Sequence, residues 1–318
     1  MKVVFCPYWG SDKNEDLLGY PHSWVGARYA EPLRRLKAEG IAQGIEMYGL
    51  DYGDYKQADI FIFWDRPKVE DTVLRYALQS GKPMILLTTE PPGLLPLNAD
   101  LRNDLLFDRI FSWYGDVSDT RHRMRPIYFA YPEAVSLPAF AERKLCTMIA
   151  SIYTRDNDPC ELYSKRAEAV RWFEEYHPEE MDFYGRQNRY TDTKYSIYRG
   201  PVGEKLEVLS RYRFQICYEN SYAVPGYISE KIFDAFFAGC IPVYWGAVDV
   251  TDFIPKECFI DKRDFDSYEE LYEYMQSMEE ETYLEYQKHI QEFLKSAFAH
   301  SYDETALAKT LIPVLKEM

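Results

Sequence analysis

The chain has 318 residues, enough for two domains that each bury a core. Hydrophobic residues make up 47% and charged residues 28%, which excludes a disordered chain. The 37 basic and 52 acidic residues leave a net charge of −15, which excludes a broad nucleic-acid-binding face because that needs a basic footprint.

Residues 2–6 (KVVFC) are expected to form a first strand, not a signal peptide, and no apolar run approaches the ~18 residues of a membrane span. Residues 31–39 read as a helix with Gly40 as its stop. Strands are expected at 58–64 (ADIFIFW), 84–88 (MILLT), 107–113 and 127–131, with a helix over 69–79 and Gly81 beyond its end. Residues 132–144 carry two prolines and read as an interdomain linker. A second alternating set follows, with strands at 145–151, 181–184, 214–218 and 241–245 and helices at 162–176, 205–212 and 230–238. Asp266 or Ser267 is placed to cap one long helix, and acidic helices with a solvated face fill the remainder.

Two αβ sets predict an α/β protein of two Rossmann-like domains facing a cleft, with ligands beyond the carboxyl ends of the strands. No GxGxxG follows the first strand and no GxxxxGK[ST] occurs, which weakens dinucleotide and P-loop readings. Pattern alone leaves reductases, kinases, periplasmic binders and glycosyltransferases open. Cys6, Cys146, Cys160, Cys217, Cys240 and Cys258 form no CxxC pair and read as buried free thiols of a reducing compartment. The five histidines are scattered, so no structural metal site is expected. The 28 tyrosines add slight weight to sugar binding, since aromatic faces with hydroxyl tips suit sugar surfaces.

Residues 212–247 read YRFQICYENSYAVPGYISEKIFDAFFAGCIPVYWGA. A buried strand ends in Glu219-Asn220, and Tyr227-Ile228-Ser229-Glu230-Lys231 opens a helix. Ser229 is placed to cap that helix. Lys231 beside its N-terminus suits a phosphate, which would meet free backbone donors, the positive dipole end and an ammonium. Glu230 is an acceptor-only group that suits ribose hydroxyls. A capped helix with an incidental surface lysine is the plain alternative.

The whole segment resembles the donor-binding region of the family-10 α-1,3/4-fucosyltransferases, in which (F/Y)EN(S/T) leads to Y(V/I)(T/S)EK, a helix and a PVYWG-type strand. The resemblance implies the GT-B fold, GDP-β-L-fucose as donor and inversion at the anomeric carbon. It places Asn220, Tyr227, Glu230 and Lys231 at the donor, with Glu230 on the ribose and Lys231 on the diphosphate. Three weaker matches extend it. Residues 145–166 resemble the family's strand, loop and helix with a phosphate-gripping arginine, which implies Arg166, with Arg155 as rival; the family's Asn after Ser151 is Ile152 here. LLTTE at 86–90 resembles the strand whose terminal glutamate is the general base, which implies Glu90; the turn lacks the usual preceding glycine and following PD. YWGSD at 8–12 resembles the acceptor-side segment, which implies Trp9 and Asp12 as acceptor contacts and leaves Asp12 as a competing base.

The expected organisation is an acceptor domain with the base at 1–138, a GDP-fucose domain at 139–300, and a terminal helix at 301–318 packing back on the first domain. The expected reaction is direct displacement onto a GlcNAc-type hydroxyl, with N-acetyllactosamine as the family's default acceptor and α-1,3 linkage. No cofactor is expected, with manganese at most a stimulant of GDP release. The expected setting is a bacterial-type cytoplasmic enzyme, peripheral at the inner membrane face, acting on lipopolysaccharide or capsule precursors. Rival readings are a metal-dependent GT-A enzyme using Asp156-Asn157-Asp158 or Asp264-Phe265-Asp266, a GT-B enzyme with another nucleotide-sugar, and an inactive GT-B-like glycan-binding protein.

Overall fold

The computed structural model describes residues 1–8, 27–50, 53–113, 122–124, 137–153, 158–185 and 195–318. The first part runs β1 (Lys2–Pro7), α1 (Ala27–Ala42), β2 (Glu46–Gly49), β3 (Ile60–Trp64), α2 (Thr72–Ser80), β4 (Met84–Leu87), β5 (Arg109–Ser112) and β6 (His122–Met124). Its strands form one parallel sheet in the order β2-β1-β3-β4-β5-β6. The second part runs β7 (Lys144–Ile149), α3 (Tyr163–Tyr176), β8 (Met181–Tyr184), β9 (Tyr198–Gly200), α4 (Lys205–Leu209), β10 (Tyr212–Tyr218), α5 (Glu230–Phe237), β11 (Ile241–Trp245), β12 (Ile260–Asp261), α6 (Tyr268–Ser277) and α7 (Glu280–Leu294), before the terminal α8 (Ala306–Glu317). Its strands form a second parallel sheet in the order β12-β11-β10-β7-β8-β9. The chain therefore has the two-sheet α/β fold expected of it.

Two compact units result, Met1–Tyr131 with His300–Met318, and Pro132–Ala299. In the first, Val3, Phe5, Ile60, Ile62, Ile85 and Leu87 pack on one sheet face with Leu36 of α1 and Leu311 of α8. The intervening Val4, Phe61, Phe63, Met84 and Leu86 pack on the other with Val73, Leu74 and Ala77 of α2. Both faces are covered, so these strands read as continuous apolar runs rather than alternating ones. The second unit repeats the scheme, with Met148, Phe214, Ile216 and Val243 against Val170 and Phe173 of α3 and Leu271 of α6. Phe233 and Phe236 of α5 meet Phe293 of α7 at ring separations of 6.2 and 5.9 Å.

Local chemistry sets the ends of several elements. Asp71 caps α2 by accepting from Val73 N and Leu74 N, and Gly81 ends it in the left-handed region at φ 65. The stop expected at Gly40 is absent: α1 continues to Ala42, and Gly44 takes the left-handed turn at φ 77. Gly40 instead packs against Met47, where an added Cβ would lie 2.7 Å from the Cε at the end of that flexible side chain. The helix expected over 205–212 ends at Leu209, and Tyr212 already belongs to β10, its hydroxyl 2.7 Å from Asp182 Oδ2. Ser267, not Asp266, caps α6. The single long helix expected there is two, because buried Met278 interrupts it between Ser277 and Glu280. The strand expected at 127–131 lies outside the described residues.

Candidate functional site

In the second sheet β7 and β10 are neighbours, and the strand order departs from them in opposite directions. Such a switch point is where open α/β sheets bind ligands, beyond the strands' carboxyl ends. Arg166, in the first turns of α3, spans this point and is only 2% exposed. Its Nε and Nη2 donate to Tyr218 O at 3.2 and 2.7 Å, at the end of β10. Its Nη1 donates to Ser151 O at 3.2 Å, just after β7, and its Nη2 also donates to Asn220 Oδ1 at 2.9 Å. The Tyr163 ring lies 4.6 Å from Cζ. All these partners are uncharged, and none of the ion pairs found among the described residues includes Arg166. A buried cation held only by neutral groups favours an arriving anion, which would offset its desolvation.

Asn220 extends the chain of contacts, donating from Nδ2 to the hydroxyl of buried Tyr227 at 3.2 Å. Ser229 caps α5 in an extended conformation, its Oγ accepting from Lys231 N at 3.4 Å and Lys231 Nζ at 2.9 Å. Beneath it lies Glu219, fully buried, whose Oε1 accepts from Ser229 N at 2.7 Å and whose Oε2 pairs with Lys231 Nζ at 3.2 Å. A carboxylate here also meets the positive end of the helix dipole. Gly246, after β11, makes room for this arrangement: an added Cβ would lie 2.5 Å from Glu219 Cγ and 2.3 Å from the Tyr244 hydroxyl. Glu230 pairs with Lys205 Nζ at 3.2 Å, and the same ammonium holds Asp234 at 2.9 Å. Burial opposes ionisation of Glu230, but Lys205 and Lys231 outweigh it and hold the carboxyl down at about 2.

Arg166, Asn220, Tyr227, Glu230 and Lys231 thus all belong to the second unit, and the first three form one hydrogen-bonded chain. Sequence reasoning gave no role to Glu219 or Lys205. Glu219 lies inside the matched motif and was there to be found. Lys205 precedes Glu230 by 25 residues and carries no local signal.

Glu90 lies in the first unit, three residues after β4 ends, and is half-buried. Its N–H donates to Asp65 Oδ1 at 3.0 Å and its carbonyl accepts from Asn98 Nδ2 at 2.8 Å. Asp65 follows β3 directly and is 1% exposed. Its carboxylate also accepts from Thr89 N, the Thr89 hydroxyl and, at 2.8 Å, Asn98 Nδ2. Burial raises the Asp65 carboxyl above the ordinary range, against the pull of these bonds. A cavity of about 410 Å³ in this unit is lined by Pro7 at the end of β1, Phe63 of β3, Lys68 and the start of α2 at Asp71 and Thr72.

Trp9 and Asp12 lie outside the described residues, as do Arg155 and Asp156-Asn157. Among the described residues there is no cluster of three or more His, Cys, Asp or Glu poised for a metal, and no helix long and apolar enough to cross a membrane. Asp158 Oδ1 accepts from Cys160 N at 2.9 Å. All six cysteines are free thiols.

Residues 143–311 match the family model described as glycosyltransferase family 10 (fucosyltransferase), C-terminal part. The chain is 44% identical over 75 residues to an α-(1,3)-fucosyltransferase of Helicobacter pylori, a stretch covering 23% of this chain and 15% of that protein. It is 40% identical over 70 residues to an α-(1,4)-fucosyltransferase of Arabidopsis thaliana, covering 22% and 17% respectively. It is 34% identical over 111 residues to the human 4-galactosyl-N-acetylglucosaminide 3-α-L-fucosyltransferase, covering 33% and 28%. The matched stretches thus span less than a third of each of these relatives. In fold, the chain is similar to a crystal structure of an α1,3-fucosyltransferase, with a TM-score of 0.58, 15% identity and coverage of 99% and 90%. It is also similar to a DNA-modifying β-glucosyltransferase, with a TM-score of 0.58, 11% identity and coverage of 99% and 100%. At such identities these two likenesses speak for the GT-B fold alone.

Proposed function

Because this chain belongs to glycosyltransferase family 10, we propose that it moves L-fucose from GDP-β-L-fucose to a hydroxyl of a glycan acceptor, with inversion. One observation carries the donor half of this reading. Arg166 is a buried guanidinium with uncharged partners at a sheet's switch point, in the same unit as Lys231 at the start of α5. A nucleoside diphosphate supplies the negative charge that such a site favours. An α1,3-fucosyltransferase of similar fold (TM-score 0.52, 16% identity, coverage of 95% and 89%) has been crystallised with GDP-fucose, which supports GDP-fucose as the donor to test first.

In the proposed reaction the acceptor oxygen bonds to the anomeric carbon as the bond from that carbon to the β-phosphate oxygen breaks. The bonding pair leaves with GDP, and the acceptor proton passes to the Glu90 carboxylate. Arg166 and Lys231 stabilise the departing diphosphate, and Asn220 and Tyr227 hold Arg166 in place. Glu230 takes the ribose hydroxyls. General-base help of this kind contributes a factor of ~10²–10⁴. Trp9 and Asp12 would meet the acceptor, with a GlcNAc-type hydroxyl and α-1,3 linkage as the expected outcome. The chemistry calls for no cofactor, with manganese serving at most GDP release. A peripheral position at the inner face of the membrane belongs to the same proposal and is read by fractionation.

The test is product analysis with GDP-fucose and a panel of disaccharides, beside Glu90→Gln. A fucosylated N-acetyllactosamine and a kcat lowered ~10²–10⁴-fold in the variant, with GDP affinity unchanged, are expected. Tighter binding of UDP than GDP would move the reading to another nucleotide-sugar. GDP binding without any transfer would favour a glycan-binding protein.

A further inference from the structure

Asp65 is the only non-glycine among the described residues with a positive φ, at 63. It is buried, follows β3 directly, and spends its carboxylate on the neighbouring strand's exit turn. Three backbone or side-chain N–H groups converge on Oδ1, from Thr89, Glu90 and Asn98, and the Thr89 hydroxyl bonds Oδ2. Asn98 closes the frame from the other side. Its Nδ2 donates to both Asp65 and the Glu90 carbonyl, while its Oδ1 accepts from Arg66 N at 2.9 Å. The Glu90 backbone is therefore gripped at its N–H by one buried side chain and at its C=O by another.

From this geometry we infer that Asp65, with Asn98, is a positioning residue that sets where the Glu90 carboxylate points. The inference rests on Glu90 being the general base. A base must sit within hydrogen-bond reach of the hydroxyl it deprotonates, and a misplacement of about 1 Å costs up to ~10²-fold in rate. The Glu90 side chain springs from the backbone that these bonds hold, so a shift of that backbone shifts where its carboxylate can reach. Asp65 holds a left-handed conformation that a non-glycine residue adopts at a cost, and in it the carboxylate meets the exit turn of β4 at Thr89 N and Glu90 N.

The substitution that separates the grip from the backbone is Asp65→Gly, because glycine adopts the left-handed conformation freely. Asp65→Asn is its conservative counterpart and keeps an acceptor oxygen at the same place. In the full chain, Asp65→Gly is expected to lower kcat by at least ~10-fold with GDP affinity by calorimetry unchanged within ~2-fold, and Asp65→Asn to stay within ~5-fold of the parent. In a Glu90→Gln background, Asp65→Gly is expected to cost less than ~2-fold more, since a residue acting through Glu90 has nothing left to position.

A folded Asp65→Gly enzyme with the parent's kcat would overturn the inference, as would an equal loss in the parent and Glu90→Gln backgrounds. If Glu90→Gln itself keeps the parent's kcat, the base assignment fails first and takes this inference with it. Should Asp65→Gly fail to fold, Thr89→Val and Thr89→Ser carry the test, since only serine keeps the hydroxyl that bonds Asp65. Thr89→Val is then expected to lose ~3-fold or more in kcat and Thr89→Ser to restore it. Equal rates in the two would overturn the inference.

Discussion

Arg166 Nη2 donates to Asn220 Oδ1 at 2.9 Å, a bond that ties helix α3 to the exit of β10 across 54 residues of sequence. Through Asn220 the guanidinium is linked in turn to the hydroxyl of Tyr227. The guanidinium proposed to meet the donor's phosphates is thus held by a fork whose donors reach three acceptors at once.

A lysine at 166 would keep the charge and lose the fork, since an ammonium cannot span Tyr218 O, Ser151 O and Asn220 Oδ1 together. Arg166→Lys is expected to weaken GDP binding by about 10-fold or more, the scale of one charge-assisted hydrogen bond. Asn220→Ala should give a smaller loss, by freeing the guanidinium from one partner. Calorimetric titration with GDP checks both, and an unchanged affinity in Arg166→Lys would remove the donor role.

Lys231→Ala is expected to do two separable things. It should weaken GDP binding by ~1.5–3 kcal/mol, the loss of an ammonium on the diphosphate. It should also lower the melting temperature, because Glu219 is left as a fully buried carboxylate without its cation. Adding Glu219→Gln removes that charge while keeping the acceptor for Ser229 N. The double variant should therefore regain thermal stability but not GDP affinity. Recovery of both would mean that Lys231 serves the fold alone.

Acid should destabilise the chain partly through Glu230. Its carboxyl is held at about 2 in the folded chain, below the ordinary 4.5. A depressed native value means that its stabilisation is fully present above about 4.5 and drains away as pH falls towards 2. Thermal melts across that window should fall more steeply for the parent than for Glu230→Gln. Parallel curves would show that the pairing with Lys205 does not stabilise the folded state.

The proposed reaction places leaving-group charge on Arg166 and Lys231, so turnover should persist in EDTA, with manganese raising it only modestly. A complete loss in EDTA that manganese restores and Asp158→Ala abolishes would favour the metal-dependent alternative instead.

Much of the proposed donor region is legible because its signals are local. A serine two residues before Lys231 reads as a cap from composition alone, and the structure has Ser229 in that role. Apolar runs such as ADIFIFW and IPVYW announce strands covered on both faces, and β11 runs over the expected residues, Ile241–Trp245. What composition cannot reveal is an element too short for a pattern. β9 and β12 have three and two residues, and their pairing with neighbouring strands defines them rather than their own side chains.

The alternation of strands and helices, the cap of α5 and the motif from Glu219 to Lys231 can be read from the residues alone, because each depends on near neighbours along the chain. Folding is what brings Lys205 to Glu230, buries Arg166 across β7 and β10, and sets Asp65 against the backbone of Glu90. Those contacts join residues 15 to 52 positions apart. They exist because strand order brings particular carboxyl ends side by side, and strand order is set by packing of whole sheets and helices, which no local pattern records.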